Sequence, residues 1–201
     1  KVLTILLKVE RIAFKNREKV LLVGLAIFAV MSRLYLIDNE SLWLDEFDAA
    51  YAIAPRLTWE KFSSYLFSST WADHHPPLYH LIMHYWIQVF GNSELGVRSF
   101  SALMGIATII CTYYIARYMF NSRVGLVSTL FLLLNYVHLY YSQEARPYTF
   151  SMLLMILSTY CLYKLLNKSR IHRVTYILTA TTLIYVDYMG FLLLGIHFIY
   201  Y

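Results

Sequence analysis

An all-α membrane protein, a polytopic helical bundle with interfacial helices on its outer face, is the fold class this sequence predicts. Three observations predict it. Of the 201 residues 59% are hydrophobic and only 14% charged, with a mean hydropathy of +0.52, a balance too apolar for a water-soluble domain. The apolar residues gather into runs close to the roughly 20 that cross a bilayer as a helix. Nineteen tyrosines and four tryptophans suit a protein with many membrane–water boundaries, where amphipathic rings settle at headgroup level.

Taken in order, residues 1–19 begin like a signal peptide, but the apolar stretch is cut at Lys8, Glu10 and Arg11 and no small-residue cleavage site follows. They read instead as an amphipathic helix on the inner surface. Membrane spans follow at residues 20–37, 97–120, 124–141 and 147–166, with two shorter runs at 174–186 and 189–201. With the amino-terminal tail inside, segments 1–19, 117–123 and 164–173 hold twelve of the seventeen Lys and Arg residues. The positive-inside rule then fixes the orientation. Ten of the twelve acidic residues fall outside.

That arrangement keeps residues 77–90 from spanning. Fourteen residues reach roughly 21 Å, short of the roughly 30 Å hydrocarbon core. Leu78, Leu81, Ile82, Tyr85, Trp86 and Val89 share one helical face and His80, His84 and Gln88 another, the pattern of a helix lying in the interface. Pro77 fits its first turn. The outer loop 38–96 thus becomes a platform of interfacial helices, with two earlier ones at 45–54 and 58–68, the latter opened by Thr58 with Glu60 in its first turn. No linker or repeat divides the chain, which reads as one membrane domain. Because residues 189–201 stop after 13 apolar residues with no polar flank, the sequence reads as the amino-terminal part of a longer protein. Cys111 and Cys161 sit inside apolar runs, so no disulfide framework is expected. The net charge of +5 is spread over membrane flanks, which argues against a nucleic-acid partner.

Polar chemistry is concentrated in three breaks between hydrophobic runs, all on the outer side. Asp45 and Glu46 follow Leu42-Trp43-Leu44, an apolar step that sets their depth at the interface. Such adjacent carboxylates serve as proton acceptors or cation ligands, or Asp45 simply caps the next helix. His74 and His75 precede Pro76-Pro77, a rigid turn whose imidazoles can meet a phosphate or a metal, or which is architecture alone. In Gln143-Glu144-Ala145-Arg146-Pro147-Tyr148 the proline disfavours helix at Arg146 and presents the guanidinium at the surface, where its planar fork suits phosphate oxygens. The structural alternative is an interfacial Arg146 paired with Glu144. Glu94 and Arg98, four residues apart, read as a helical ion pair.

Trp43-Leu44-Asp45-Glu46, His75-Pro76-Pro77-Leu78-Tyr79, Gly91-Asn92-Ser93-Glu94 with Val97-Arg98-Ser99, and Gln143-Glu144-Ala145-Arg146-Pro147-Tyr148 occur in the order found in GT-C-type membrane glycosyltransferases. Over residues 20–166 the chain resembles the amino-terminal part of the protein O-mannosyltransferase and aminoarabinose-transferase group. The resemblance implies a GT-C-like fold in the cell or inner membrane, with the active site on the extracytoplasmic face. It implies a polyprenyl-phosphate-linked sugar donor and a glycan, lipid or protein acceptor. Asp45 then matches the catalytic acidic position as general base, with Glu46 supporting it or a metal; His74, His75, Glu144 and Arg146 form the substrate-binding set, with His75 and Arg146 as the phosphate contacts. One base and one stabilised leaving group imply inversion at the anomeric carbon. No cofactor is required by this reading, although a divalent cation is compatible with it. In some relatives the third loop carries an Asp beyond the Arg, where this chain has Tyr148 and Thr149, so a metal role for that loop is not carried over. A lipid or solute transporter, which would hold ionisable groups near mid-bilayer, and a non-catalytic assembly subunit of the same fold are the alternatives.

Overall fold

The computed structural model describes residues 2–43, 45–46, 58–66, 76–166 and 171–200. Among them the regular elements are helices: α1 (Val2–Leu34), α2 (Trp59–Leu66), α3 (Pro77–Phe90), α4 (Glu94–Met119), α5 (Ser122–Leu134), α6 (Tyr136–Ser142), α7 (Tyr148–Leu166), α8 (Ile171–Val186) and α9 (Met189–Tyr200). The chain is an all-α membrane protein. α4 and α7, at 26 and 19 residues, are long and apolar enough to cross a bilayer, and α5 with α6 makes a third such element bent by 64°.

α1 is one unbroken helix of 33 residues, about 50 Å long, in place of the separate inner-surface helix that the tail's pattern predicts. Residues 2–23 contain no Gly or Pro to interrupt it. From Val20 to Met31 it exposes Val20, Leu21, Val23, Ile27, Phe28, Val30 and Met31. A face of that kind is a liability in water and suits lipid.

The hub is α4, which packs against α1, α3, α5, α6 and α7, while α7 carries α8 and α9 on its other side. α4 starts at Ser93, whose side chain accepts the Gly96 N–H at 3.2 Å, with Glu94 complementing the first turn. α5 starts at Asn121, which accepts from the N–H groups of Arg123 and Val124 at 3.0 Å. At the end of the bundle carrying Arg117 and Lys164, the Tyr113 hydroxyl donates to Glu18 and Arg117 pairs with Glu18 at 3.0 Å. Lys164 lies 3.6 Å from the centre of the Tyr118 ring. These contacts tie α1 to α4 and α7 to α4 where basic and aromatic anchors are useful.

The bend between α5 and α6 has an identifiable cause. Asn135 takes an extended conformation, and its side chain accepts the His138 N–H at 2.8 Å, so it ends one helix and caps the next. The break frees the Leu133 carbonyl. Arg33, fully buried, donates to that carbonyl at 3.2 Å and meets His138 Nδ1 at 3.1 Å. Nearby, Gly105 lets α4 touch the end of α6, since a Cβ there would collide with the Ser142 side chain.

α3 turns its histidine face inward. Its buried residues are Tyr79, His80, Met83, His84 and Ile87, while Tyr85 and Val89 are exposed. Both α4 and α8 pack on it, so the histidines turn inward, while Leu81, Ile82 and Trp86 pack partly buried against the same core. Trp86 Nε1–H donates to the Gly96 carbonyl at 3.1 Å and the Ser99 hydroxyl at 3.0 Å, locking α3 to α4. Gly91, at φ 83°, makes the turn between them. Of the other expected platform helices, 58–68 is seen as α2. Most of 45–54 lies outside the described residues.

The orientation can be measured with single cysteines at two exposed positions, Asn92 and Arg123, in a background with Cys111 and Cys161 replaced. An impermeant maleimide is expected to label position 92 in intact cells and position 123 only after permeabilisation. The reverse pattern would invert every assignment of side.

Candidate active site

At the end of α1 the chain turns through Leu36, which has a left-handed φ of 54°. The last carbonyls of the helix need donors. Gln143 supplies them from across the bundle, its side-chain N–H₂ reaching the carbonyls of Ser32 at 3.2 Å and Tyr35 at 2.8 Å. The first loop and the segment after α6 are thereby held side by side.

Arg98, near the start of α4, fastens both to the bundle. Its guanidinium grips Glu46 in a two-pronged pair, Nε to Oε1 at 2.9 Å and Nη2 to Oε2 at 2.6 Å. Nη1 donates to the carbonyls of Ile37 and Glu40, each at 2.8 Å. Glu46 is fully buried and also accepts the Ala145 N–H at 2.8 Å and, more weakly, the Trp43 N–H at 3.4 Å. A buried carboxylate is tolerable only when so fully paired. The pairing replaces the helical Glu94–Arg98 pair that spacing alone predicts. Glu94 acts on Arg98 only through space, because the fork can reach a fixed, desolvated partner instead.

The clasp positions the other site residues. Asp45 and Glu46 are both helical, so they project differently: Glu46 inward, and Asp45 with its side chain 47% exposed. Arg146 lies beside Asp45, Nη2 to Oδ2 at 3.9 Å and Nη1 to the Asp45 carbonyl at 3.4 Å. Among the described residues the Asp45 carboxylate meets Arg146. Arg146 itself is held by its backbone and its neighbours. Its carbonyl accepts from the Ser101 hydroxyl at 3.1 Å, the Thr149 hydroxyl donates to the Ser101 carbonyl at 3.1 Å, and its guanidinium sits 5.6 Å from the centre of the Tyr148 ring.

Glu144 goes elsewhere. It is buried, with Tyr140 hydrogen-bonded to its carboxyl, and its Oε2 has no hydrogen-bond partner among the described residues. Burial pushes the carboxyl above its usual range, against the lowering effect of the Tyr140 hydroxyl. His74 and His75 lie outside the described residues. Among the described residues no three His, Cys, Asp or Glu side chains converge to hold a metal, and both oxygens of Glu46 are already engaged. The arrangement can accept a proton at the half-exposed Asp45 and receive an anion at the mostly buried Arg146 beside it.

Sequence reasoning missed the parts played by Arg98 and Arg33. Each is a single cation at or inside an apolar run, a signal readable in principle, but its partner is 52 residues away for Arg98 and 105 for the His138 contact of Arg33.

Comparison with known proteins adds the family. Residues 74–201 match the family model described as dolichyl-phosphate-mannose-protein mannosyltransferase, a stretch that contains Arg98, Glu144 and Arg146 and begins after Asp45 and Glu46. An uncharacterized protein of Aquifex aeolicus (strain VF5) is 31% identical over 96 residues, 47% of this chain and 19% of that protein. The match thus covers about a fifth of that relative's length. No solved structure matches the chain.

If the clasp holds the site together, Arg98→Lys, which keeps the charge and loses the fork, is expected to cost about 3 kcal/mol. Glu46→Gln should cost a similar amount by leaving Arg98 buried without its counter-charge. Thermal melting in detergent reads both. Unchanged melting temperatures would reject the clasp as the organising contact.

Proposed function

The chain belongs to the dolichyl-phosphate-mannose-protein mannosyltransferase family, and from that premise we propose that it transfers a sugar from a polyprenyl-phosphate donor to an acceptor hydroxyl on the outer membrane face. The observation that carries this reading is the Asp45 carboxylate, half exposed and 3.9 Å from the Arg146 guanidinium. A proton acceptor and an anion receptor adjoin there.

In the proposed reaction Asp45 removes the proton of the acceptor hydroxyl as that oxygen attacks the anomeric carbon. The bond from that carbon to the phosphate oxygen breaks, and polyprenyl phosphate leaves with the electron pair. A single displacement inverts the anomeric carbon. Arg146 stabilises the charge growing on the phosphate, where a preorganised donor is most effective. His74 and His75, before the Pro-Pro turn, are assigned to the same phosphate. Glu46 takes no part in proton transfer, since Arg98 and the Ala145 N–H occupy its oxygens. It is a positioning residue, fixing Asp45 against the loop that bears Arg146. The bilayer dissolves the donor's lipid tail. Sugar transfer is favoured over transport because the buried Arg33 and His138 bond each other, and Arg33 the Leu133 carbonyl, at the helix break.

Asp45→Asn keeps the size and one carbonyl oxygen but removes the base, so transfer should fall by roughly a hundredfold or more with the fold intact. Arg146→Lys keeps charge without the fork and should weaken the donor-dependent step. Purified full-length variants would be assayed for transfer from a polyprenyl-phosphate sugar, with melting as control. Near-normal turnover in Asp45→Asn would reject the assignment.

A further inference from the structure

The far end of α4 carries a feature with no part in sugar transfer. Arg117 lies nineteen residues beyond Arg98, roughly 29 Å along the helix. There α1, α4 and α5 leave an apolar groove of about 230 Å³, lined among others by Leu22 and Ala26 of α1, Ile109 and Tyr113 of α4 and Thr129 of α5. Val23 and Tyr114 are exposed on its rim. The groove opens sideways toward lipid, since α4 is long and apolar enough to cross a bilayer and α1 presents its apolar face from Val20 onward.

The groove ends in a fixed polar group. One turn beyond Tyr113, Arg117 Nη1 donates to the Tyr113 hydroxyl at 2.8 Å and pairs with Glu18 at 3.0 Å. Both anchors are buried, but the Arg117 side chain is 43% exposed, so the rest of its fork faces outward. Lys19, also exposed, stands three and four residues before Leu22 and Val23, on the face of α1 that lines the groove. The exposed Arg123 is two residues from Gly125, where a Cβ would lie 3.1 Å from the Arg117 Cβ. The acid here is Glu18, whose Oε1 is already taken by Tyr113 and Arg117. An apolar slot that ends in a held guanidinium and an ammonium matches a molecule with a hydrocarbon tail and a phosphate head. A zwitterionic head fits less well, because its cationic half meets Lys19, Arg117 and Arg123.

We propose that this groove binds an anionic glycerophospholipid, with one acyl chain between α1 and α4 and the phosphate on Arg117 and Lys19. So seated, the lipid joins α1 to the hub helix and stabilises the protein by mass action. The proposal is independent of the transferase reading.

Full-length protein, delipidated in detergent, would be titrated separately with dioleoyl phosphatidylglycerol and dioleoyl phosphatidylcholine, with bound lipid counted by native mass spectrometry. Phosphatidylglycerol is expected to bind roughly tenfold tighter and to raise the melting temperature. Lys19→Glu should weaken its binding by roughly tenfold or more, the scale of one charge reversed beside a phosphate. Ala26→Phe fills the groove without touching a charge and should weaken binding comparably. Melting without lipid controls for folding, and because Lys19 is exposed, its variant keeps the test valid if Ala26→Phe is unstable. Arg173→Glu, the same reversal at an exposed position on α8 outside the groove, should leave binding nearly unchanged. The proposal is overturned if phosphatidylcholine binds as tightly, if either folded groove variant binds phosphatidylglycerol like the parent, or if Arg173→Glu weakens binding as much as Lys19→Glu, the mark of a diffuse basic belt.

Discussion

Arg98 and Glu46 form the contact on which this end of the bundle depends. A carboxylate at 0% exposure is stable only because every one of its contacts is a donor in good geometry. The same guanidinium collects carbonyls from the loop after α1. The Ala145 N–H completes the set from the other side. Three segments with no sequence proximity therefore share one electrostatic knot, and the half-exposed Asp45 and the buried Arg146 are its neighbours rather than its members. That division of labour lets a rigid structural pair hold a second, more open pair in place.

A second constraint comes from the hydrocarbon. Backbone groups there have no water to bond, so a break in a spanning helix must be repaired from within the protein. At Asn135 the repair uses a side-chain cap for the new helix and a buried arginine for the carbonyl left behind. The bend carries the chain sideways just before Gln143. The loop beyond it can then meet the end of α1, where Gln143 satisfies the last carbonyls.

Much of this was legible in the sequence. Long apolar runs need only length and composition, and the helices at 94–119 and 148–166 fall close to the spans expected there. Pro77 and Pro147 stand at or just before helix starts for the backbone reasons that predict them. What was illegible involves partners rather than periods. The spacing of Glu94 and Arg98 is a valid helical pair, but the energetic advantage of a desolvated partner outweighs it, and nothing local in the sequence names Glu46. The inward turn of His80 and His84 was illegible for a related reason. In lipid the apolar side of a helix need not be the buried side, so a pattern that orients a helix in water loses its sign.

The clasp also imposes an order on biogenesis. Glu46 leaves the ribosome 52 residues before Arg98 and 99 before the Ala145 N–H that completes its coordination. At synthesis rates of about 5–20 residues per second, its oxygens wait roughly 3–10 s for the guanidinium and roughly 5–20 s for the full set. During that interval the first loop has no reason to enter its final depth. That end of the bundle is thus assembled late, by the arrival of α4 and then of the segment after α6.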